Sequence, residues 1–110
     1  MLDHQKLDVY QVSVAFVASA ARCSSLLPRG HADLLDQLKR SAFSIPLNIA
    51  EGIGKPTTAE RRRYLAFARG SAMESSATLD VLVAGGLVEA AEVAAIDALD
   101  FGIRRLLRRC

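Results

Sequence analysis

The sequence has little of several residue types on which particular folds and sites depend. Only 5% of its 110 residues are aromatic and none is tryptophan, so the core must be aliphatic. Two cysteines, Cys23 and Cys110, are too few and too far apart for a disulfide framework or a zinc site. With three prolines and no β-branched alternation typical of strands, the sequence predicts helices.

No charge of one sign dominates. Lys and Arg number 14 against 12 Asp and Glu, which gives a formal net charge of +2. This balance excludes a disordered polyelectrolyte and a histone-like basic peptide, and the net charge alone indicates no partner. The length allows one domain, which we place at residues 1–110.

Long hydrophobic runs are also missing. Residues 12–21 are small or apolar and imitate the core of a secretory signal. However, Asp3 and Asp8 flank Lys6 in the preceding segment, which therefore lacks the positive charge of a signal peptide. No stretch provides the roughly 20 apolar residues of a membrane span. We expect a cytoplasmic protein with no membrane partner.

Four segments show the three-and-four spacing of a helix with one apolar face. The predicted helices cover about residues 7–26, a second segment ending near residues 52–54, a third beginning at Thr57 and ending at Gly85-Gly86, and about residues 88–109. Thr57 and Glu60 have capping-box spacing, and a glycine pair tolerates the positive φ of a helix end. The predicted core stripes are Val9, Val12, Phe16, Ser19, Cys23 and Leu26; Leu35, Leu38, Ala42, Ile45 and Ile49; Leu65, Ala68, Ala72, Ser75, Leu79 and Leu82; and Ile96, Leu99, Ile103 and Leu106.

Short connections force consecutive helices to run antiparallel. The predicted fold class is therefore all-α, an up-down-up-down antiparallel four-helix bundle. Pro46 lies inside the second helix, where it removes one internal hydrogen bond and predicts a kink near Ala42.

Catalytic signatures are missing. No Glu is followed by His three residues later, so the metal motif of di-iron bundles is not present. His4 and His31 cannot be placed beside a nucleophile, and the glycines at 52 and 54 precede proline and open no phosphate-binding helix. We predict no enzyme activity, no metal and no cofactor.

Polar residues follow two neighbouring helices beside their apolar stripes. Because of their spacing, the two sets could meet in a hydrogen-bonded network. One interpretation is a brace that fixes helix register around Pro46, and the other is a ligand site; the brace is the commoner arrangement. The sets are Ser41, Ser44, Asn48 and Glu51 on the second helix and Arg63, Ser71, Glu74 and Thr78 on the third.

Arginines concentrate where the third helix begins and the fourth ends. An antiparallel bundle brings these segments to one end, and most acidic residues to the other. Cations at a helix C-terminus complement the helix dipole, whereas cations at an N-terminus gain nothing from it. Either this end is a solvated cap, or it binds an external anion. The arginines are Arg61, Arg62, Arg63 and Arg69, then Arg104, Arg105, Arg108 and Arg109; the acids are Asp33, Asp36, Asp80, Glu89 and Glu92.

Three blocks carry a family resemblance: LDVYQ at residues 7–11, QLKRSAFSIPLNIAEG at 37–52 and LAFARGSAME at 65–74. They resemble the four-helix bundle proteins of the 23S ribosomal-RNA intervening-sequence family. The resemblance implies a ring-shaped homopentamer, similar to the basic accessory protein of diversity-generating retroelements, which associates with nucleic acid and a reverse transcriptase. The positions that match the family motif are Arg40, Ser44, Asn48, Glu51, Gly52, Gly70, Ser71 and Glu74.

Two functional hypotheses follow. The first is a non-enzymatic, oligomeric bundle that binds structured RNA, or DNA, by phosphate contacts from the arginine-rich end. Tyr64 and Phe67 are assigned to the core, so base stacking is not expected and specificity should be weak. The second is a protein-interaction scaffold, in which acidic and basic ends of neighbouring copies pair head to tail. A membrane-surface helix over residues 101–109 is disfavoured because the segment is short and follows acidic residues.

Overall fold

Four α-helices make up almost all of the described chain, and no strand occurs within it. The structure, a computed structural model, describes residues 3–108, with side chains from residue 8 onward. The helices are α1 (Asp3–Ser24), α2 (Ala32–Ile53), α3 (Thr58–Ala84) and α4 (Ala90–Leu107). The all-α prediction is confirmed, with α1 and α4 differing from their predicted bounds by a few residues at their ends.

Each helix packs against its neighbour in the chain, and α1 also packs against α4. Diagonal pairs, α1 with α3 and α2 with α4, make no backbone approach among residues 3–108. Hydrogen bonds join Ser44 to Ser71 and Ser41 to Ser75, so residue numbers fall along α2 as they rise along α3 and these helices are antiparallel. The short connection between α3 and α4, together with the Arg104–Met73 contact far from it on both helices, makes that pair antiparallel as well. The result is a four-sided up-down-up-down bundle of 44 × 22 × 19 Å.

The core prediction holds best for α2 and α3. Every residue of the predicted α3 stripe is buried, and in α2 only Leu35 is half-buried rather than buried. Burial of such aliphatic side chains stabilises the fold by roughly 1.5 to 3 kcal/mol each. The α2–α3 pair is therefore built around the face that the three-and-four spacing predicts.

In α1, the predicted stripe is partly wrong. Ser13 and Ala20 are buried, whereas Val12 and Ser19 are half-buried and Leu26 is 47% exposed. Ser13 enters the core because its hydroxyl donates to the carbonyl of Tyr10 at 2.6 Å, which satisfies the buried oxygen. The spacing of apolar residues does not predict burial of a serine whose hydroxyl is hydrogen-bonded to a carbonyl of its own helix.

The α4 stripe shows the same kind of departure. Asp100 and Leu107 are buried, and the predicted Leu99 and Leu106 are only half-buried. Asp100 is buried because it forms an ion pair with Arg104 one turn later. This turns α4 so that one carboxylate faces the core.

The predicted helix ends at both sides of α3 are present. The Thr57 hydroxyl accepts from the Glu60 amide at 3.2 Å and donates to the Glu60 carboxylate at 3.0 Å. After α3, Gly86 adopts a φ of 73°, and the Leu87 amide donates to the Leu82 carbonyl at 2.9 Å. Both local signals place the ends of α3 correctly.

The C-terminal half of α2 lies unusually close to α3. A Cβ added at Gly52 would lie 3.1 Å from the Tyr64 Cβ and 3.2 Å from the Arg61 carbonyl oxygen. Six residues earlier, Pro46 is buried within α2, which continues beyond it to Ile53. Only glycine permits this approach without moving one helix.

One cysteine lies within the described side chains. Cys23 is buried near the end of α1, where burial first, and the charge of Glu92 second, raise the pKa of its thiol. A raised thiol pKa lowers the thiolate fraction at neutral pH and hence reactivity. Cys110 lies outside the described residues.

Candidate nucleic-acid interface

The two arginine segments lie in the same half of the bundle, with Arg104 about 15 Å along the bundle from Arg63. The Arg104 guanidinium on α4 contacts the Met73 sulfur on α3 at 3.4 Å. Arg69 lies one turn before Met73 on α3, and Arg108 lies one turn after Arg104 on α4. Because the two helices are antiparallel, these two arginines lie at the same level, nearer the end of the bundle where α3 begins. We call this region the arginine end, defined by Arg61, Arg62, Arg63, Arg69, Arg104, Arg105 and Arg108. Arg109 lies outside the described residues.

Arg61 serves the α2–α3 connection. Its Nε donates to the Lys55 carbonyl at 2.7 Å, and Nη2 lies 3.4 Å from the Pro56 carbonyl. These bonds fold the side chain back over the loop. Arg61 therefore has an internal role that sequence spacing did not predict.

Arg104 also has an internal partner. Its Nε donates to Asp100 Oδ1 at 2.7 Å, and the Asp100 side chain is fully buried. The other carboxylate oxygen, Oδ2, is buried and has no hydrogen-bond partner among the described residues. Arg104 is therefore held in place by a carboxylate in the core.

Burial has a large effect on Asp100. Desolvation raises the pKa of this carboxyl to about 6, although the hydrogen bond and charge of Arg104 oppose the rise. Asp97, one turn earlier, has its pKa raised by burial and by the neighbouring charge of Asp80. The α3–α4 seam thus becomes acidic immediately beyond the arginine end.

Five arginines of this end are exposed: Arg62, Arg63, Arg69, Arg105 and Arg108. None of them forms an ion pair with another described residue. Arg62 and Arg69 are seven residues apart and share one face of α3, while Arg105 and Arg108 share a face of α4. These guanidinium groups remain available to an anion from solution.

Aromatic side chains stand among these arginines. Phe67 is 46% exposed, with the Arg63 guanidinium 5.5 Å from its ring centre, and it meets Tyr64 edge to face. The assignment of Phe67 to the core is therefore wrong, and Tyr64 is only half-buried. Apolar character alone predicts burial, whereas this ring lies on the solvent side of α3 under a cation.

Phe101 was not singled out from the sequence. It is 52% exposed, and the guanidinium groups of Arg104 and Arg105 lie 5.8 and 5.9 Å from its ring centre. The sequence signal for it is its spacing, because Arg104 and Arg105 follow Phe101 by three and four residues and therefore lie on the same side of α4. The arginine end therefore carries exposed aromatic surface as well as charge.

The opposite end is less uniformly acidic than the sequence indicates. The predicted acids there, Asp33, Asp36, Asp80, Glu89 and Glu92, are all exposed. Arg22 also reaches this end and donates to Ser19 at 3.0 Å. At the arginine end, Lys55 pairs with Glu51 at 3.1 Å. The charge separation along the bundle is real but partial.

The polar stripes of α2 and α3 meet through serines. Ser44 donates to Ser71, and Ser75 donates to Ser41 at 2.8 Å, so hydroxyls join the two helices at successive levels. Asn48 donates to the Ser44 carbonyl at 2.8 Å. These contacts fit the interpretation of a brace, with side-chain bonds ending on carbonyls and hydroxyls within the pair.

Other members of the stripes and motif do not join this network. Arg63 lies over Phe67, Glu51 pairs with Lys55, and Gly70 faces open space. Arg40 and Glu74 are exposed and line an open depression of about 300 Å³ with Asp33 and Gln37. The motif residues therefore divide between the α2–α3 seam and the surface.

Within residues 3–108, no three His, Cys, Asp or Glu side chains are grouped as a metal would require. None of the helices in that part of the chain combines the length and hydrophobicity needed to cross a membrane.

Comparison with known proteins identifies the family. Residues 5–109 match the 23S rRNA-intervening sequence protein family. The fold is similar to a crystal structure of a protein of unknown function from the S23 ribosomal protein family of Bacteroides thetaiotaomicron, with a TM-score of 0.85 and 22% sequence identity over 92% of this chain and 95% of that one. No curated protein matches. The chain belongs to the 23S rRNA-intervening sequence protein family.

Proposed function

We propose that this protein is a non-enzymatic, cytoplasmic, oligomeric bundle that binds structured RNA through the arginine end. The supporting observation is the group of exposed arginines on adjacent faces of α3 and α4 that have no carboxylate partner among the described residues. An RNA backbone supplies phosphates along its length, and arginine binds phosphate with bidentate hydrogen bonds.

Electrostatic binding of this kind depends steeply on salt. If Arg62, Arg69, Arg105 and Arg108 each neutralise one phosphate, affinity falls about 50- to 150-fold between 50 and 200 mM salt. Fluorescence anisotropy with a labelled RNA hairpin measures this slope. DNA of the same sequence should bind with similar affinity, because phosphate contacts carry little sequence information.

The decisive variant changes Arg62, Arg69, Arg105 and Arg108 to Glu and leaves Arg61 and Arg104 intact, because those two hold the loop and Asp100. We expect this variant to lose hairpin binding at 50 mM salt while keeping its helical circular dichroism. A control with Arg29→Glu and Arg40→Glu changes exposed arginines away from the arginine end and should bind almost as the parent does. No binding by the parent protein, or equal binding by the four-site variant, would contradict the proposal.

A homo-oligomeric scaffold is the second candidate. Two pairs of exposed apolar residues favour it: Tyr10 and Val14 on α1, and Phe43 and Leu47 on α2, where Leu47 is 68% exposed. Each pair is spaced i, i+4, so each presents one apolar face on helices that pack together. Such surface is typical of contacts between proteins. The family resemblance makes a homopentamer the expected assembly.

Light scattering at low and high salt separates the two forms of this scaffold. An assembly through the apolar pairs should persist in 1 M salt, whereas pairing of acidic with basic ends should dissociate, because salt screens exposed charges beyond about 3 Å at that concentration. Leu47→Asp should reduce the oligomer mass, and Val81→Asp, at a 55% exposed position on α3, serves as the matched control. A monomeric parent protein would refute this candidate.

A further inference from the structure

The most exposed aromatic ring among the described residues lies at the edge of the arginine end that is nearer the middle of the bundle. Phe101 leaves 52% of its surface open to solvent, although phenylalanine is among the residues that folding most often buries. Its position follows from α4 itself, because Asp100, the preceding residue, turns into the core and directs Phe101 outward. The ring is therefore presented by the helix rather than left on a loose loop.

Two cations flank this ring, and one of them is fixed. Arg104 and Arg105 place their guanidinium groups 5.8 and 5.9 Å from the ring centre. Arg104 is held by Asp100 at 2.7 Å and contacts Met73 at 3.4 Å, while Arg105 is exposed. The ring and the Arg104 guanidinium group are already positioned, so they lose little conformational freedom when a flat ligand stacks on them.

The charge around the ring selects the ligand. Arg104, Arg105 and Arg108 all follow Phe101 on α4, so the cations lie on the side of the ring nearer the end of the helix, and Asp97 lies one turn away on the other side. An apolar protein segment covering Phe101 would have to remove these guanidinium groups from water without pairing them, which is costly. A single-stranded nucleic acid provides a flat base for the ring and a phosphate for the arginines in each repeating unit.

We propose that Phe101, with Arg104 beside it, is a stacking site for an unpaired base of RNA, and that Arg105 contacts a neighbouring phosphate. This inference rests on the proposed function and specifies its substrate as RNA with loops, bulges or single-stranded ends. Bases inside a duplex are stacked on one another and cannot reach the ring. The base lies on the exposed surface of Phe101, and the flanking phosphates contact Arg105 and Arg108.

Anisotropy with two labelled oligonucleotides of equal length tests the site. One is oligouridine, and the other has the same sugar-phosphate backbone without bases. The parent protein should bind the uridine oligonucleotide about 5- to 150-fold more tightly, the effect of stacking one base. Phe101→Leu should abolish this preference and Phe101→Tyr should keep it. Val81→Ala, at a 55% exposed apolar position on α3 outside both proposed surfaces, should change nothing.

A second measurement reports stacking directly. The chain has no tryptophan, so Phe101→Trp introduces a single fluorophore at the proposed site. Its emission should be quenched by oligouridine and not by the oligonucleotide without bases. Arg105→Ala should weaken binding of both oligonucleotides to a similar extent, because its partner is phosphate.

The outcomes separate this site from the proposed function. If the parent protein binds both oligonucleotides equally, or Phe101→Leu weakens both equally, the stacking site is refuted while phosphate binding stands. If the emission of Phe101→Trp shifts with protein concentration without RNA, the ring belongs to a protein interface and the stacking site is refuted. If neither oligonucleotide nor the RNA hairpin binds, both proposals fail together.

Discussion

A pair of glycine substitutions tests the packing of α2 against α3. Gly52→Ala places a methyl group 3.1 Å from the Tyr64 Cβ and 3.2 Å from the Arg61 carbonyl, atoms fixed to the α3 backbone that cannot rotate away. Gly70→Ala places the same group on α3 with nothing within 4 Å. The two changes are chemically identical and differ only in their surroundings.

The expected effects have opposite signs. Alanine in place of a helical glycine gains about 0.5 to 1 kcal/mol, and Gly70→Ala should show this gain. Gly52 lies beside the last residue of α2, where the helix gain is smaller, and overpacking costs about 1 to 3 kcal/mol. Subtracting the helix-propensity gain from the overpacking cost, we expect Gly52→Ala to lower the free energy of unfolding by about 0.5 to 2 kcal/mol.

Urea unfolding followed by circular dichroism measures both variants against the parent. With a slope of about 1 to 3 kcal/mol per molar urea, the midpoint of Gly52→Ala should fall by several tenths molar and that of Gly70→Ala should rise. The series is run at two protein concentrations, so that any effect on assembly is recognised. A Gly52→Ala midpoint equal to or above that of the parent would refute the close approach of the two helices.

Three further substitutions test the core and the seam. The pKa of Asp100 is about 6 in the folded state against an ordinary value of 3.8. The free energy of unfolding should therefore fall by about 3 kcal/mol as the pH rises from 4 to 6. Asp100→Asn removes this titration and should flatten that part of the profile of urea midpoint against pH. Ser75→Ala removes the donor to Ser41 and should cost about 1 kcal/mol in urea unfolding, and a neutral result would exclude a bracing role. Leu79→Ala, at a fully buried position, should cost about 2 to 5 kcal/mol, seen as a lower thermal midpoint.

Local signals in the sequence determine much of the fold. The α3 stripe, the cap at Thr57 and the turn at Gly86 depend on residues within a few positions of each other, and all are found where they were predicted. The arginine end follows from helix direction alone. Such features need no knowledge of what another helix contributes.

Other features depend on partners that spacing does not reveal. Asp100 enters the core because Arg104 is one turn away, and its burial exposes Phe101 on the next position. Because Arg104 is paired with Asp100, it is not free to bind an anion from solution. Phe67 is exposed because α3 buries Leu65 and Ala68 on either side of it, and an apolar residue between two core positions is easily assigned to the core.

The buried thiol of Cys23 provides a chemical probe of local opening in the bundle. Because Cys23 is 2% exposed and burial raises its pKa, a thiol-specific reagent should react slowly until the contact between the end of α1 and the start of α4 opens locally. With Cys110 changed to Ser, the labelling rate relative to an unstructured cysteine gives the free energy of that opening. Measured with and without RNA, the rate would show whether binding at the arginine end tightens the far end of the bundle.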